Sequence, residues 1–520
     1  MKIYDLIIIG SGLSGLSAAY TAAEKGLKVC VLNKATDLEE SNTRYAQGGI
    51  VADGINDSQE KLIKDIELAG DAINYREALK LIASEGPELV NRLLIDTVKV
   101  PFSRNEKGEY DRTIEAAHST RRILHADDRT GQAIEGSFVS FLANHGNIDF
   151  FPAHTAIDLI TNTHNSTDYQ EKYKPTRIIG VYTLVNETGD VLPFFAPQVL
   201  LAAGGVGNLF QHTTNPSIAT GDGIAMAYRV GGEILNAEYV QFHPTLLFHR
   251  DIKRFLISES LRGEGARLVN RKGEYFMKRY APDLEDLAPR DTVARAIFKE
   301  MESSDSDYVF LDTSSMGDID LEKRFPLIYN TCLEGDINIR NELIPVVPAA
   351  HYFCGGIKTD LDCRTHLPGL MAAGENACTG VHGANRLASV SLLEALCFGV
   401  RAGNTAAGAP LALSKSLCDS IPPWKTPAEE YEFDPALIQN DLVNIRITMW
   451  NYSGIVRTKK RLSRAMSDLN YMSHRIESFY REAAITPQLI ELRNAVMTAM
   501  VIVSAATANK QSLGCHFRAD

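Results

Sequence analysis

A glycine pattern near the N-terminus constrains this chain most. Residues Tyr4 to Gly15 read Y-D-L-I-I-I-G-S-G-L-S-G, an apolar run closed by Gly10, Gly12 and Gly15. That spacing is the strand-turn-helix fingerprint of a dinucleotide-binding unit. Gly10 lets the chain turn sharply, Gly12 leaves bare backbone for a pyrophosphate, and Gly15 lets the helix lie close on its strand. The helix N-terminus adds free N–H groups and a partial positive charge. The predicted helix, Leu16 to Lys25, is Ala-rich; Gly26 ends it, and a second strand spans Leu27 to Leu32. A glycine turn in some other βα unit lacks this context.

The position that usually carries Asp or Glu for ribose hydroxyls is Asn33 here, followed by Lys34. Ribose contact then falls to an amide or to backbone. No second G-x-G-x-x-G occurs; Gly204-Gly205-Val206-Gly207 has the wrong spacing. One dinucleotide is expected, without a separate nicotinamide site.

With 520 residues the chain suggests two to four domains. A net charge of −12 excludes a generally basic, nucleic-acid-binding chain. The one basic cluster, Arg457, Lys459, Lys460, Arg461 and Arg464, reads mostly as a solvated helix face. The eight cysteines form no C-x-x-C pair and no zinc or iron–sulfur spacing, so no metal is expected, and the usage suits a reducing cytoplasm. Lys2 and the apolar stretch after it read as a strand rather than a signal peptide, because glycines soon break the run. No apolar segment is read as approaching the ~18 residues of a membrane span, so no membrane association is expected.

Ser41 to Gly54 is small and polar, with Gly48 and Gly49 adjacent, suited to press backbone on a flat ligand. Gln59–Leu68 and Tyr75–Leu94 carry helical periodicity. Residues 161–176 are turn-rich, 177–202 form short β-like runs, and Pro197 to Gly205 is a buried strand ending in glycines. Residues 231–345 are richer in charge and include a predicted helix, Pro289 to Met301, with proline in its first turn. The glycine- and alanine-rich style returns from Leu367 to Gly403. This pattern reads as one nucleotide-binding domain interrupted by an insert. A proline-rich linker, Ser420 to Glu430, leads to helical segments Asp434–Tyr480 and Pro487–Ala508, a small antiparallel bundle.

Chemistry-bearing residues collect near the borders of the insert: His243 in EYVQFHPT, Glu259, Arg262 and Glu264 in SESLRGEGA, Arg290 in LAPRDT, and His351 in VPAAHYFCGG. Glu375, His382, Asn385, Arg386, Ser389 and Ser391 follow in GENACTGVHGANRLASVS. Arginine forks match carboxylates, so two Arg and two His suit a ligand with two carboxylates. Singly, each has a plainer reading: His before Pro closes a loop, Arg290 pairs with Asp291, Arg386 braces a loop. Arg262 and Glu264 read as structural ion pairs and stay outside the site.

Taken together, the blocks NTRYAQGGI, HSTRRILHADDRTG, AAGGVGNLF, TGDGIAMAYRVG, QFHPT, LAPRDTVARAI and PAAHYFCGGI, with those above, resemble the L-aspartate oxidases. These are relatives of fumarate reductase and succinate dehydrogenase flavoproteins, and the resemblance covers nearly the whole chain. It implies an α/β Rossmann-type FAD-binding domain (1–232 and 346–412), an inserted α+β capping domain (233–345) and a C-terminal helical bundle (430–520). By that likeness Gly10, Ser11, Gly12, Leu13, Ser14, Gly15 and Lys34 lie along the FAD diphosphate and ribose. Asn42, Thr43, Arg44, Tyr45, Ala46, Gln47, Gly48 and Gly49 line the flavin. Asp222 and Glu375 hold further FAD hydroxyls, and Ser391 with Leu392 the pyrimidine edge. Arg290 becomes the proton-transfer residue, His243, His351 and Arg386 grip the substrate carboxylates, and Glu115 faces the amino group.

Two details select among members. Where respiratory relatives read S-H-T and link flavin covalently through the His, this chain reads Ser41-Asn42-Thr43, which implies noncovalent FAD. Glu115 offers a carboxylate, attractive to an ammonium and repellent to fumarate or succinate alone; its plainer reading is a surface carboxylate. The resemblance thus implies oxidation of L-aspartate to iminoaspartate with oxygen or fumarate as acceptor, feeding a quinolinate synthase toward NAD. The alternatives are a soluble fumarate reductase and, from another class, a flavin-binding subunit without turnover. The chain departs from the family's S-N-S block at Val390, which removes an amide from the loop carrying Ser391, and from the Arg before the tail glycine at Leu513.

Overall fold

A computed structural model describes residues 2–520 except 116, 409–411 and 428–433. Ala428 to Glu430, the end of the expected proline-rich linker and the start of the expected C-terminal domain, lie outside the described residues, as do residues 409–411 near the end of the segment 346–412.

The central element is a five-stranded parallel sheet in the spatial order Leu370–Ala372, Val199–Leu201, Leu6–Ile9, Val29–Leu32, Ile148–Phe151. All of Leu6–Ile9 is buried, as a parallel strand covered on both faces must be. The order reverses beside Leu6–Ile9, which opens a crevice at the carboxyl ends of the strands. The helix Leu13–Glu24 begins there and ends before Gly26, whose φ is +86. A β-carbon on Gly10 would lie 2.2 Å from the Ala202 carbonyl oxygen, and one on Gly15 2.1 Å from that of Gly10. Both glycines are therefore required by close approach, as the spacing predicts. A second, antiparallel sheet, His154–Thr161, Ile178–Val185 and Val191–Phe195, flanks the first.

The insert builds an antiparallel sheet in the order Val240–Leu247, Ile344–Phe353, Val309–Asp312, Arg267–Val269, with the helix Arg290–Ser304 packed on it. Pro289 sits at the N-cap of that helix rather than within its first turn. The strand Ile344–Phe353 runs through the expected junction at 345/346, so it belongs to the cap sheet while leading the chain home. Its register with Val240–Leu247 shifts on both sides of His243. Such irregularities re-aim side chains, and here the rings of His243 and His351 come within 5.2 Å.

The tail is three helices, Pro435–Ser453, Lys459–Glu482 and Pro487–Ala508. The periodicity read as continuous from Asp434 to Tyr480 breaks at Gly454. One apolar core joins bundle, cap and the underside of the central sheet, with Trp450 lying 5.9 Å from Phe242, the neighbour of His243. The expectation about apolar length needs correction. Among the described residues Pro487–Ala508 is long and apolar enough to span a membrane, with a mean hydropathy of 1.5. It is instead the central helix of the bundle, packed on its two partners and on Asp222–Arg229. The basic cluster also needs correction at one member. Arg457 is fully buried, donating to the carbonyls of Ser453, Gly454 and Glu238 and to His516 Nδ1.

Candidate active site

The crevice continues under the cap as one cavity of about 640 Å³. Its walls come from distant stretches of sequence that the sheet order and the cap bring together. Among the described residues, no group of His, Cys, Asp and Glu is placed to hold a metal.

At one end lies the glycine turn. Gly12 is the N-cap of the first helix and supplies no side-chain cap, so first-turn N–H groups face the crevice. A β-carbon there would make ordinary contact with Thr43 Oγ1 at 3.4 Å and the Ser41 side chain at 3.7 Å, so no protein atom demands glycine at this position. Thr43 Oγ1 accepts the Leu13 N–H. Asn33 does not face this space freely, because its amide donates to Ser11 Oγ at 2.7 Å. Ser11 in turn donates to the Leu38 carbonyl. Lys34 donates to Thr220, Asp222 and Glu491, at 3.0, 2.7 and 2.6 Å. Burial would lower the Lys34 pKa, but Asp222 and Glu491 outweigh it and the net shift is upward. Glu491 belongs to the central bundle helix and has no sequence-level signal.

Midway, Asn42 Nδ2 donates to Glu375 Oε2 at 2.7 Å and the Phe353 N–H to its other oxygen at 2.9 Å. Burial raises the Glu375 pKa to about 7 despite these donors. Thr43, Ala46, Gln47, Gly48 and Gly49 line the cavity with Asn42. Gln47 Oε1 is buried without a partner, aimed where a ligand donor would satisfy it. Arg44 and Tyr45 also line the cavity, Arg44 donating to Asp37 and the Tyr45 hydroxyl to Glu40, another lining residue. The glycine turn, the helix N-terminus at the crevice and the unpaired amide oxygen fit a dinucleotide carrying a flat ring.

At the far end, His243, His351, Arg290, Arg386 and Glu115 all line the same cavity. His243 Nδ1 accepts the Thr245 N–H at 3.2 Å. His351 Nδ1 lies 2.7 Å from the Thr214 hydroxyl. A Thr214 donor fixes the same tautomer as in His243, with Nε2–H left to meet a ligand. Burial, then neighbouring Arg290 and Arg386, holds both imidazoles well below their ordinary pKa and so neutral. Arg386 stacks 4.5 Å over the Tyr352 ring and donates to Gln241 Oε1 and Ser391 Oγ. Among the described residues it has no carboxylate partner, its Nε is buried and unpaired, and burial plus Arg290 lowers its pKa. A buried guanidinium with an unpaired donor favours an anionic partner. Tyr352 itself is fixed by the buried pair His382 and Glu394.

Arg290 differs. Its Nε donates to Glu259 Oε2 at 2.6 Å. Asp291, the plainer partner, pairs with Arg295 instead. Glu259 Oε1 faces the Arg262 Nη2 at 3.8 Å. Burial would raise Glu259, but Arg290 and Arg262 overcome it and hold it below the carboxylate range. Arg262, expected as a structural ion pair, pairs with Glu259 and does not itself line the cavity. Glu264 does conform, pairing with Arg324 on the surface. Glu259, Gln241, Thr214 and Ser389 were not assigned to the site from sequence. SESLRGEG offers several charges, and only the fold distinguishes the one at the cavity.

The departures are absorbed. Val390 is fully buried in an apolar cluster. Leu513 packs against Tyr239, Tyr352, Cys354 and Ala384.

Comparison with known proteins gives the same result. The FAD binding domain family matches residues 5–392 and the fumarate reductase flavoprotein C-terminal family matches 443–520. L-aspartate oxidase of Yersinia pestis is 42% identical, covering 100% of this chain and 96% of that protein. L-aspartate oxidase 1 of Ralstonia nicotianae is 41% identical, covering 99% and 95%. Among solved structures, E. coli quinol fumarate reductase FrdA superposes with a TM-score of 0.88 at 27% identity, covering 100% of this chain and 91% of that one. The Mycobacterium smegmatis Sdh1 complex gives 0.82 at 30% identity, covering 100% and 89%. FAD is thus the cofactor of the fold, and this chain belongs to the L-aspartate oxidase family within the fumarate reductase and succinate dehydrogenase flavoproteins.

Proposed function

We propose that this chain oxidises L-aspartate to iminoaspartate with noncovalent FAD, passing electrons to oxygen or fumarate, as the first step toward quinolinate and NAD. The observation that carries this reading is the pairing, in one cavity, of an uncompensated Arg386 and two neutral imidazole donors with the Glu115 carboxylate. The residues assigned to FAD are the glycine turn, Lys34, Asn42 to Gly49, Asp222, Glu375, Ser391 and Leu392. When bound, FAD supplies the two-electron chemistry.

The protein supplies position and charge. Arg386 and the Nε2–H groups of His243 and His351 bind the two carboxylates, which fixes one pose and one handedness. Glu115 attracts the ammonium, which fumarate lacks. Arg290 handles a proton when fumarate is the substrate. Its free pKa lies far above neutrality, so it needs an immediate source of replacement protons. Glu259, bonded to its Nε and facing Arg262, is built for that relay. Glu375, poised near pKa 7, can either donate to or accept from a hydroxyl of the cofactor.

Iminoaspartate is labile, which favours prompt use by a quinolinate synthase, and the eight buried unbridged cysteines suit a cytoplasmic enzyme. The likeness to fumarate reductases supports a second reading, a soluble fumarate reductase. Purified yellow protein given L-aspartate and air settles the choice. The expected result is stoichiometric hydrogen peroxide with L-aspartate and none with succinate, with acid releasing all FAD. Turnover of succinate but not aspartate would select the second reading.

A further inference from the structure

We propose that Ser389 is a positioning residue for amine recognition, aiming the Glu115 carboxylate at the substrate's nitrogen; this rests on the aspartate reading above. Glu115 sits on an irregular loop between the short strands Arg112–Thr113 and Ile123–Leu124. A carboxylate on such a loop has no rigid element to hold its direction. Ser389 Oγ donates to Glu115 Oε2 at 2.7 Å. That bond leaves Oε1 as the oxygen available to an ammonium. On the other side Gly48 makes room, since a β-carbon there would lie 2.3 Å from Glu115 Oε1.

The same two loops are tied a second time, by His118 Nε2 donating to the Ala388 carbonyl at 2.9 Å. The loop is also pinned behind, where Asp65 accepts both the N–H and the hydroxyl of Ser119. Ser389 holds a left-handed backbone, φ +57, that side chains other than glycine avoid. That conformation immediately precedes the helix Val390–Gly408 and places the Ser389 hydroxyl on Glu115. Because fumarate carries no nitrogen, this hydrogen bond acts on amine substrates alone.

The experiment compares kcat/KM for L-aspartate oxidation with kcat/KM for fumarate reduction in the holoenzyme, for wild type, S389A, S389G, E115Q and the S389A/E115Q double variant. The expected result is a fall of about tenfold in the aspartate-to-fumarate ratio for S389A, the scale of one charge-assisted hydrogen bond. It appears mainly in the aspartate KM. S389G should behave alike while favouring the left-handed backbone, which separates the hydroxyl from strain. S389A should add nothing to E115Q. If S389A or S389G lowers both activities equally, or leaves the ratio unchanged while E115Q lowers it, the positioning role is wrong and the aspartate reading stands. If E115Q itself leaves the ratio unchanged, the assignment of Glu115 to the ammonium fails.

Discussion

The two ends of the cavity treat their cations in opposite ways. Lys34, at the nucleotide end, is neutralised by Asp222 and Glu491, and its pKa rises. Arg386, at the diacid end, has an aromatic face and an amide but, among the described residues, no carboxylate, and its pKa falls. A matched charge locks structure; an unmatched buried charge is held ready for a ligand at a cost in stability. The difference teaches that binding function is read from what the fold leaves unsatisfied. Arg290 stands between the two, paired through Nε with Glu259 yet open to the cavity.

Removing the unmatched charge should have the largest effect. Arg386→Leu is expected to lower kcat/KM for L-aspartate by at least about 10³-fold, the scale set by losing an oriented charged donor. FAD content, read by absorbance, should stay at wild-type level; loss of FAD with activity would erase the contrast between the two ends. Next comes the intermediate arginine. Glu259→Gln should cut kcat for fumarate reduction by about 10²-fold, within the range of lost proton transfer, with KM nearly unchanged. A rise in KM alone would move Glu259 from relay to binding. At the matched end, Glu491→Gln should raise the FAD dissociation constant about tenfold, as expected for one lost charge-assisted contact. Turnover at saturating FAD should not change, and an unaltered dissociation constant would show that Lys34 does not need its partner.

The smallest effect concerns the tail. Burial lowers the His516 pKa to about 4, so its folded value lies below the ordinary 6.5. The unfolded chain then binds the extra proton between those limits. Stability from this group is complete above pH 6.5 and is lost as pH falls toward 4. His212, also lowered to about 4 by burial, acts in the same direction. Thermal melts from pH 7 to 4.5 should therefore decline less steeply in His516→Gln than in wild type. Parallel curves would remove His516 from the acid response.

The nucleotide end was legible because its signal is local. Gly10, Gly12 and Gly15 lie close together in sequence, and Gly10 and Gly15 each answer to a nearby backbone oxygen. Motif blocks also marked His243, His351, Arg290, Arg386 and Glu115, although only the fold brings them to one cavity. Glu259 was marked as chemistry-bearing but given no role, and Glu491 was not legible. The first hides among other charges in SESLRGEG, and the second is an ordinary helix acid until the bundle packs against Asp222–Arg229. Arg457 looked like its exposed neighbours because nothing local announces that the chain returns to bury it against His516. Pro487–Ala508 shows the limit of counting apolar residues, since a bundle centre and a membrane span have the same composition.

The strand order of the central sheet has a consequence for how the protein is made. Leu201 pairs with Ile9 on one side and Ala372 on the other. During synthesis the Val199–Leu201 edge must wait, unpaired, while the whole cap emerges from the ribosome. Late closure of such distant pairings is slow and leaves a sticky edge exposed. The cap thus folds while that edge of the platform is still open.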